Sequence, residues 1–337
     1  MKRPTLRRGA RVAVVSPASA AKPALVQQGV EALRVYGYDP VVMPHALSRG
    51  PLYYAGTAEE RVGDLHAAFE DPTIEGVLCT RGGWGSAELL PLLDARLIRE
   101  NPKVFAGYSD HTSLHSWFLQ ECGFTTFYGP MVAADWALAD GADLPSWEAA
   151  TSDKAYALGA DDGLRVLRRG YAAGRLLGGC LAIVEAGLGT PWALRVEEPC
   201  VLFLEDIGVK PYQWDRMLQH LRFAGLMQQV TGVVVGDMSA NVAEAELGLL
   251  EDACLHALRD FEGPVAIGLR CGHVTGGNRT LPLGAEAVLH CDEAASLNLL
   301  GSDGAEEVHG APAEAKVRSS PEAIGSPGEA EVYARQR

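Results

Sequence analysis

The chain has 337 residues, of which 47% are hydrophobic, and carries a formal net charge of −14 at pH 7. The length and apolar content predict either two domains or one large α/β unit around a packed core. The acidic balance argues against a nucleic-acid partner and against an anionic membrane surface, because the overall field would repel both.

The seven cysteines are an odd set that contains no C-x-x-C pair. Several lie inside apolar runs, which is typical of buried, reduced thiols rather than of a disulfide framework. The basic N-terminus is followed by an apolar stretch too short for a signal peptide, and no segment approaches membrane-spanning length. We therefore expect a cytoplasmic protein without membrane association.

Short apolar runs alternate with helical patterns in the first part of the chain. Strands are predicted at residues 11–15, 41–43, 75–79 and 104–106. Pro23 opens one helical pattern that stops near Gly37, and Thr57 with Glu60 forms a capping box that starts another. Continuous apolar strands between helices predict a parallel sheet covered on both faces, with a ligand crevice at the carboxyl ends of its strands.

The pattern divides the chain into four parts. They are a first α/β domain (1–135), a linker (136–169), a smaller mixed α/β domain (170–301) and a disordered tail (302–337). In the second domain the predicted strands are residues 201–204, 230–235 and 265–269, with a closing hairpin near residues 285–300. The tail is assigned from its Ala, Pro, Gly, Glu and Ser content and its lack of periodic apolar residues.

The sequence Gly107-Tyr108-Ser109-Asp110 follows an apolar strand and precedes a helical pattern. A serine on such a sharp turn is exposed, and the first N–H groups of the helix point toward it. That geometry suits a nucleophile with an oxyanion site beside it. The motif lacks the second glycine of G-x-S-x-G, and serine is also a common helix cap, so both interpretations remain open from this stretch alone.

Other segments contain residues that could be functional, but none of them indicates a function when it is taken alone. The glycine-rich loop 81–86 lacks both G-x-G-x-x-G and a Walker lysine. A plain turn therefore explains its glycines as well as a ligand-binding loop does. Glu205 ends a strand, and His273 lies in a glycine-bounded loop. His111 and His115 have metal-ligand spacing, but no third ligand is evident. We interpret them as a solvated or core-edge pair and predict no metal site.

Together these motifs resemble the LD-carboxypeptidases, a family of serine peptidases. The similarity runs in order from about residue 12 to about residue 300. The stretches that carry it are residues 54–57, 60–61, 81–85, 90–94, 101–110, 129–131, 202–206, 212, 215–218, 272–273, 278 and 280–284. Several motifs of this length in the same order are far more specific than any one of them.

The resemblance implies a flavodoxin-like parallel sheet in the N-terminal domain and a Ser–His–Glu triad shared between the two domains. Ser109 would be the nucleophile, His273 the general base and acid, and Glu205 the carboxylate that orients the imidazole. The combination is chemically coherent, because a serine needs a base to accept its proton and a carboxylate stabilises the imidazolium.

The resemblance also implies an oxyanion site and substrate contacts. The oxyanion donors would be the N–H of Asp110 and that of Gly82 or Gly83, with the choice of glycine open. The residues assigned to substrate binding are Arg81, Trp84 and Tyr212. Arg81 would grip a terminal carboxylate with two hydrogen bonds, and a structural ion pair is the alternative. Trp84 and Cys180 depart from the tyrosine and asparagine common in the family.

The implied activity is release of the terminal D-alanine from murein tetrapeptide during cell-wall recycling, without a metal or organic cofactor. We expect a homodimer. A microcin C immunity-type peptidase, acting on aminoacyl-nucleotide conjugates, is the nearest alternative, although the interval from residue 129 to residue 205 is short for the extra loop of those enzymes. A non-catalytic α/β ligand-binding protein is a second alternative. A cysteine-based glutamine amidotransferase would need a cysteine where Ser109 stands.

Overall fold

The computed structural model describes residues 1–304, so the predicted tail lies outside the described residues except for the short 3₁₀ turn Ser302–Gly304. Within this range the chain forms two sheets. The first sheet contains β1 (Arg11–Val15), β2 (Asp39–Val42), β3 (Ile74–Cys79), β4 (Val104–Gly107), β5 (Thr126–Tyr128) and β12 (Leu281–Leu283), numbered in chain order.

The first sheet has the strand order β12-β5-β4-β3-β1-β2 within the described chain. β1 to β5 are parallel, in the order that defines a flavodoxin-like sheet, so this part of the predicted fold is confirmed. β12 comes from the second half of the chain and pairs antiparallel with β5. The two halves are therefore joined through a shared sheet as well as through packing.

Five α-helices connect or flank these strands in the described chain. They are α1 (Pro23–Tyr36), α2 (Ala58–Glu70), α3 (Ala95–Glu100), α4 (Thr112–Trp117) and α5 (Leu144–Thr151). Local signals set both ends of α1 and the start of α2 as predicted. Pro23 occupies the first turn of α1, and Gly37 ends that helix in the left-handed conformation with φ of 108°. Thr57 and Glu60 form the reciprocal capping box of α2.

The second sheet has eight strands within residues 1–304, in the order β6-β14-β13-β8-β9-β10-β11-β7. Its strands are β6 (Tyr156–Leu158), β7 (Arg165–Arg168), β8 (Gly170–Cys180), β9 (Cys200–Glu205), β10 (Val230–Gly236), β11 (Val265–Leu269), β13 (Glu286–Cys291) and β14 (Ala295–Leu299). The central strands β8 to β11 are parallel, and the outer pairs are antiparallel. The helices here are α6 (Leu181–Ala186), α7 (Pro211–Phe223) and α8 (Leu247–Ala257).

The stretch predicted as a linker, residues 136–169, contains regular structure. It includes α5, whose Trp147 is fully buried in the core of the first domain. It also includes β6 and β7, which form the two edges of the second sheet. α5 is short, and β6 and β7 are short edge strands. Each of them buries few side chains, so the sequence shows only weak apolar periodicity here. The stretch is part of both folded layers rather than a bare connection.

The carboxyl ends of parallel strands from both sheets carry the loops that form the site. In the first sheet these are the loops after β3 and β4, and in the second sheet they are the loops after β9 and β11. None of the helices in residues 1–304 combines the length and apolarity needed to cross a bilayer.

Candidate active site

Ser109 lies on the turn between β4 and α4, at the carboxyl edge of the first sheet. Its φ of 65° places a non-glycine residue in the left-handed region. Such a conformation costs about 1–3 kcal/mol and occurs mainly where surrounding structure enforces it, often at functional turns. The serine is only partly buried, although its neighbours Tyr108 and Asp110 are buried. The turn thus presents one hydroxyl outward from a packed base.

The structure brings Ser109, His273 and Glu205 together. His273 Nε2 lies 3.0 Å from Ser109 Oγ, across 164 residues of sequence. His273 Nδ1 lies 2.9 Å from Glu205 Oε2, and the backbone N–H of His273 donates to the same oxygen at 3.0 Å. One carboxylate oxygen therefore holds both the ring and the backbone of the histidine. With Nδ1–H committed to the carboxylate, Nε2 is the nitrogen that faces the serine hydroxyl.

The histidine lies in an acidic, largely desolvated environment. Its side chain is 13% exposed, and that of Glu205 is 1% exposed. Burial acts to lower the pKa of His273, but the charge and hydrogen bond of Glu205, followed by the charges of Asp206 and Asp135, outweigh it. The pKa of His273 is therefore raised above its ordinary value of 6.5. A raised pKa makes this imidazole a better proton acceptor.

Tyr128 joins two members of this group and was not anticipated from the sequence. Its Oη accepts the backbone N–H of Ser109 at 3.1 Å and donates to Glu205 Oε1. The residue ends β5 directly before Gly129 and Pro130, which belong to one of the motifs that carry the family resemblance. That adjacency was the only signal in the sequence, and it does not indicate where the side chain points.

A chain of hydrogen bonds anchors the loop that carries His273. The backbone N–H of Gly272 donates to Asn278 Oδ1 at 2.9 Å, and Asn278 Nδ2 donates to Asp135 Oδ1 at 3.1 Å. Asp135 is buried, and this burial raises its pKa to about 6 although the N–H of Met131 and the Asn278 amide counteract the rise. The loop is thus tied to the first domain behind the histidine.

The backbone of the glycine loop approaches the Ser109 hydroxyl closely at one residue. A Cβ at residue 82 would lie 3.0 Å from Ser109 Oγ and 3.5 Å from Asp110 N, whereas a Cβ at residue 83 would meet Ser19 Oγ at 2.4 Å. Gly82 is therefore the glycine that lies against the serine. Ser109 N–H is engaged by Tyr128, while in the described chain Asp110 N–H donates to no protein acceptor.

The three residues assigned to substrate contacts lie in different settings. Arg81 is exposed beside the glycine loop, and within residues 1–304 no carboxylate forms an ion pair with it. Trp84 is 41% exposed and borders a pocket of about 130 Å³ between the two domains, together with Ile183 and Trp192. Tyr212 is 63% exposed at the start of α7 and lines a groove against α8. No hydrogen bond in the described chain joins Tyr212 to the triad residues.

Cys180 stands where the resemblance leads one to expect asparagine. It lies at the end of β8, and its backbone N–H donates to Thr112 Oγ1 at 3.0 Å. Burial raises the pKa of its thiol well above the ordinary value. Cys180 is therefore a packed neutral thiol behind the site, without the hydrogen-bonding capacity of an amide.

The interpretation of His111 and His115 as a solvated or core-edge pair is wrong. Both are fully buried beneath the nucleophile turn, where burial lowers their pKa values to about 3 and about 4. His115 bridges Thr126 Oγ1 and the carbonyl oxygen of Gly107, each at 2.8 Å. Across residues 1–304 no group of three or more His, Cys, Asp or Glu side chains is arranged to hold a metal ion.

Two family models match the chain along most of its described length. The model of the LD-carboxypeptidase N-terminal domain matches residues 12–129, and that of the C-terminal domain matches residues 173–289. The chain belongs to the LD-carboxypeptidase family. The family predicted from the motifs is thereby confirmed, and the chain is a serine-type carboxypeptidase by that membership.

Relatives of this LD-carboxypeptidase cover nearly its whole fold. It is 35% identical to a protein of Bacillus subtilis named as a probable murein peptide carboxypeptidase, over 86% of this chain and 91% of that protein. The crystal structure of a muramoyltetrapeptide carboxypeptidase from Oxalobacter formigenes is 26% identical, with a TM-score of 0.75 over 86% of this chain and 98% of that chain. The Microcin C7 self immunity protein MccF has a TM-score of 0.81 over 89% of this chain and 98% of that chain, at 22% identity, which is a likeness of fold.

Proposed function

We propose that this LD-carboxypeptidase releases the terminal D-alanine of murein tetrapeptide by hydrolysing the bond that joins it to an L-configured centre. The observation that carries the proposal is the continuous hydrogen-bond chain from Ser109 Oγ through His273 to Glu205. Serine, imidazole and carboxylate in that order form a triad for acyl transfer. Relatives named for murein and muramoyl peptides support this class of substrate.

In the proposed reaction, Ser109 Oγ attacks the carbonyl carbon of the scissile amide while its proton passes to His273 Nε2. Glu205 stays ionised and stabilises the imidazolium. As the tetrahedral intermediate collapses, His273 gives the proton to the leaving nitrogen, so D-alanine departs and an acyl ester remains on Ser109. A water molecule then transfers a proton to His273 and attacks the ester. Ser109 recovers that proton as the tripeptide leaves.

The negative charge that develops on the carbonyl oxygen needs preorganised donors, each of which contributes about 10²–10³ to kcat in enzymes of this type. We assign this role to the N–H groups of Asp110 and Gly82. The close approach of Gly82 to Ser109 favours it over Gly83, which faces Ser19 instead. The Ser109 N–H is excluded because it donates to Tyr128.

We assign Arg81 to the terminal carboxylate of the substrate. Its guanidinium is exposed near the glycine loop, and the lack of an ion-pair partner in residues 1–304 supports this role over a structural one. Trp84, which borders the pocket between the domains, is assigned to the remainder of the peptide. The same role for Tyr212 has no support from its contacts, which lie along the groove between α7 and α8.

We place the reaction in the cytoplasm, where released murein peptides are recycled. All seven cysteines are buried and free. Unpaired thiols in this number suit a reducing compartment.

The test is incubation of the purified protein with murein tetrapeptide and, separately, with an aminoacyl adenylate, with products read by mass spectrometry. We expect loss of one alanine from the tetrapeptide and no loss with Ser109→Ala. Cleavage of the adenylate alone would instead assign the microcin C immunity-type activity. If neither substrate is cleaved and a fluorophosphonate fails to label Ser109, the protein is a non-catalytic ligand-binding protein.

A further inference from the structure

The phenol of Tyr128 lies between two members of the triad in a position that no motif assigns. The residue is fully buried at the end of β5, with its ring packed edge-on against Phe203. Its hydroxyl accepts the Ser109 N–H at 3.1 Å and donates to Glu205 Oε1. Glu205 Oε2 holds His273, so the phenol contacts the carboxylate through the oxygen that the histidine does not use.

We propose that Tyr128 is a positioning residue that couples the backbone of the nucleophile to the carboxylate of the triad. This inference rests on the proposed function, because it takes Ser109, His273 and Glu205 as the reacting group. A single hydroxyl then fixes two parts of the site that come from different sheets. Its loss would loosen both parts at once.

The first consequence concerns the conformation of the nucleophile. Ser109 holds a φ of 65°, which a residue with a side chain adopts only under constraint. The bond from its N–H to Tyr128 supplies one such constraint, and its removal would leave that partly buried donor without its partner. The serine hydroxyl would then be held less accurately against His273.

The second consequence concerns the basicity of His273. The groups that face its imidazole are the carboxylates of Glu205, Asp206 and Asp135, the Ser109 hydroxyl and the ring of Tyr108. A donor on Glu205 Oε1 withdraws negative charge from the oxygen that holds His273. Without that donor, the carboxylate–imidazole pair binds its first proton more readily, wherever in the pair the proton resides. Loss of the Tyr128 hydroxyl therefore moves the protonation of the pair to higher pH.

The phenol is suited to this positioning role because its hydroxyl proton is already donated to Glu205. It donates to Glu205 and so can only accept from Ser109. Burial and the adjacent charge of Glu205 raise the pKa of Tyr128 well above 10, so the hydroxyl keeps its proton throughout the working pH range.

The test compares rates of inactivation by a fluorophosphonate across neutral pH for the wild type, Tyr128→Phe and Tyr38→Phe. For Tyr128→Phe we expect a rate lower by about 10- to 100-fold, as for a small misplacement of reacting groups. We also expect the acidic limb of its pH profile to lie at higher pH than that of the wild type. Tyr38 is a matched control, because it is also buried and its hydroxyl accepts from Trp147 Nε1 at 2.9 Å in the core of the first domain. Its variant is expected to keep both the rate and the limb.

A wild-type limb in Tyr128→Phe would overturn the inference, even if the variant were less stable, because a purely structural role lowers stability without moving the limb. Site-specific 3-fluorotyrosine at residue 128 provides a second arm that retains the packing. Its more acidic hydroxyl is a stronger donor to Glu205, so the limb is expected to move to lower pH, and no movement would also overturn the inference.

The reagent does not depend on the peptide substrate, so the two proposals fail in different ways. A wild type that is labelled at Ser109 but leaves murein tetrapeptide intact fails only in its substrate. A wild type that is not labelled at all overturns the triad and this inference with it.

Discussion

Gly272 lies directly against the carboxylate of Glu205. A Cβ at residue 272 would be 2.4 Å from Glu205 Cδ and 2.6 Å from its Oε2, and the φ of Gly272 is +93°. Both the contact and the backbone conformation require glycine. The loop that carries His273 therefore closes over the carboxylate with no space for a side chain, which holds Glu205 beneath the imidazole.

Substitution of this glycine should disable the triad without changing any of the three triad residues themselves. In Gly272→Ala the methyl group would displace Glu205, and we expect kcat/KM for D-alanine release to fall by roughly 10²-fold. Gly63→Ala is the control, since Gly63 is exposed within α2 and a methyl group at this position would meet no atom within 4 Å. That variant should keep full activity and gain about 0.5–1 kcal/mol in unfolding free energy. A folded Gly272→Ala with normal activity would contradict the packing argument.

Ser109 and His273 should act as one unit. Ser109→Ala and His273→Ala should each lower kcat by about 10⁴ or more, and the double variant should be hardly worse than either single variant. The measurement is the initial rate of D-alanine release, with thermal unfolding to confirm that each variant folds. Losses that multiply in the double variant would show that the two side chains act independently.

The oxyanion assignment predicts sensitivity at residue 82. The methyl group of Gly82→Ala would lie 2.8 Å from Ser109 Cβ and 3.0 Å from its Oγ, so it would crowd the space beside the serine hydroxyl to which we assign the carbonyl oxygen. We expect kcat to fall by about 10²–10³, comparable to the loss of one oxyanion donor. Wild-type kcat in this variant would exclude Gly82 from the oxyanion site.

Arg81 should matter for one feature of the substrate only. A bidentate guanidinium–carboxylate contact predicts that Arg81→Lys weakens kcat/KM for the free-acid tetrapeptide by about 1–3 kcal/mol. The same substitution should change kcat/KM far less for a tetrapeptide with an amidated C-terminus, because that substrate has no carboxylate for Arg81 to bind. Equal losses on both substrates would make Arg81 a scaffold residue.

The pH profile should move in a defined direction when Glu205 is neutralised. The proposed base is the neutral imidazole, so activity is lost as pH falls through the pKa of His273, which lies above 6.5 in the wild type. Burial lowers this pKa, and the Glu205 carboxylate is the largest of the influences that raise it. In Glu205→Gln the acidic limb of kcat/KM should therefore move to lower pH, while kcat falls by about 10⁴ through loss of imidazolium stabilisation. If the acidic limb stays in place or moves to higher pH, Glu205 does not act on His273 as we propose.

Much of the fold was predictable because its signals are local. Pro23 and Gly37 delimit α1, Thr57 and Glu60 cap α2, and the apolar runs of β1, β3, β4, β9 and β10 match the observed strands to within one or two residues. Each of these signals acts through a neighbouring hydrogen bond or a continuous apolar run. The weaker elements between residues 136 and 169 were missed because they are stabilised by distant partners rather than by their own pattern.

The amino-acid sequence by itself determined the family, the parallel first sheet and which serine, histidine and glutamate to join. Only the tertiary structure decided how they meet. Ser109 and His273 are 164 residues apart, and their 3.0 Å contact depends on two sheets presenting their carboxyl ends to one cleft. The positions of Tyr128 and Gly82 beside Ser109 were decided in the same way, because both depend on the direction of one group toward another. Sequence patterns report local periodicity and burial, and they carry no information on such directions.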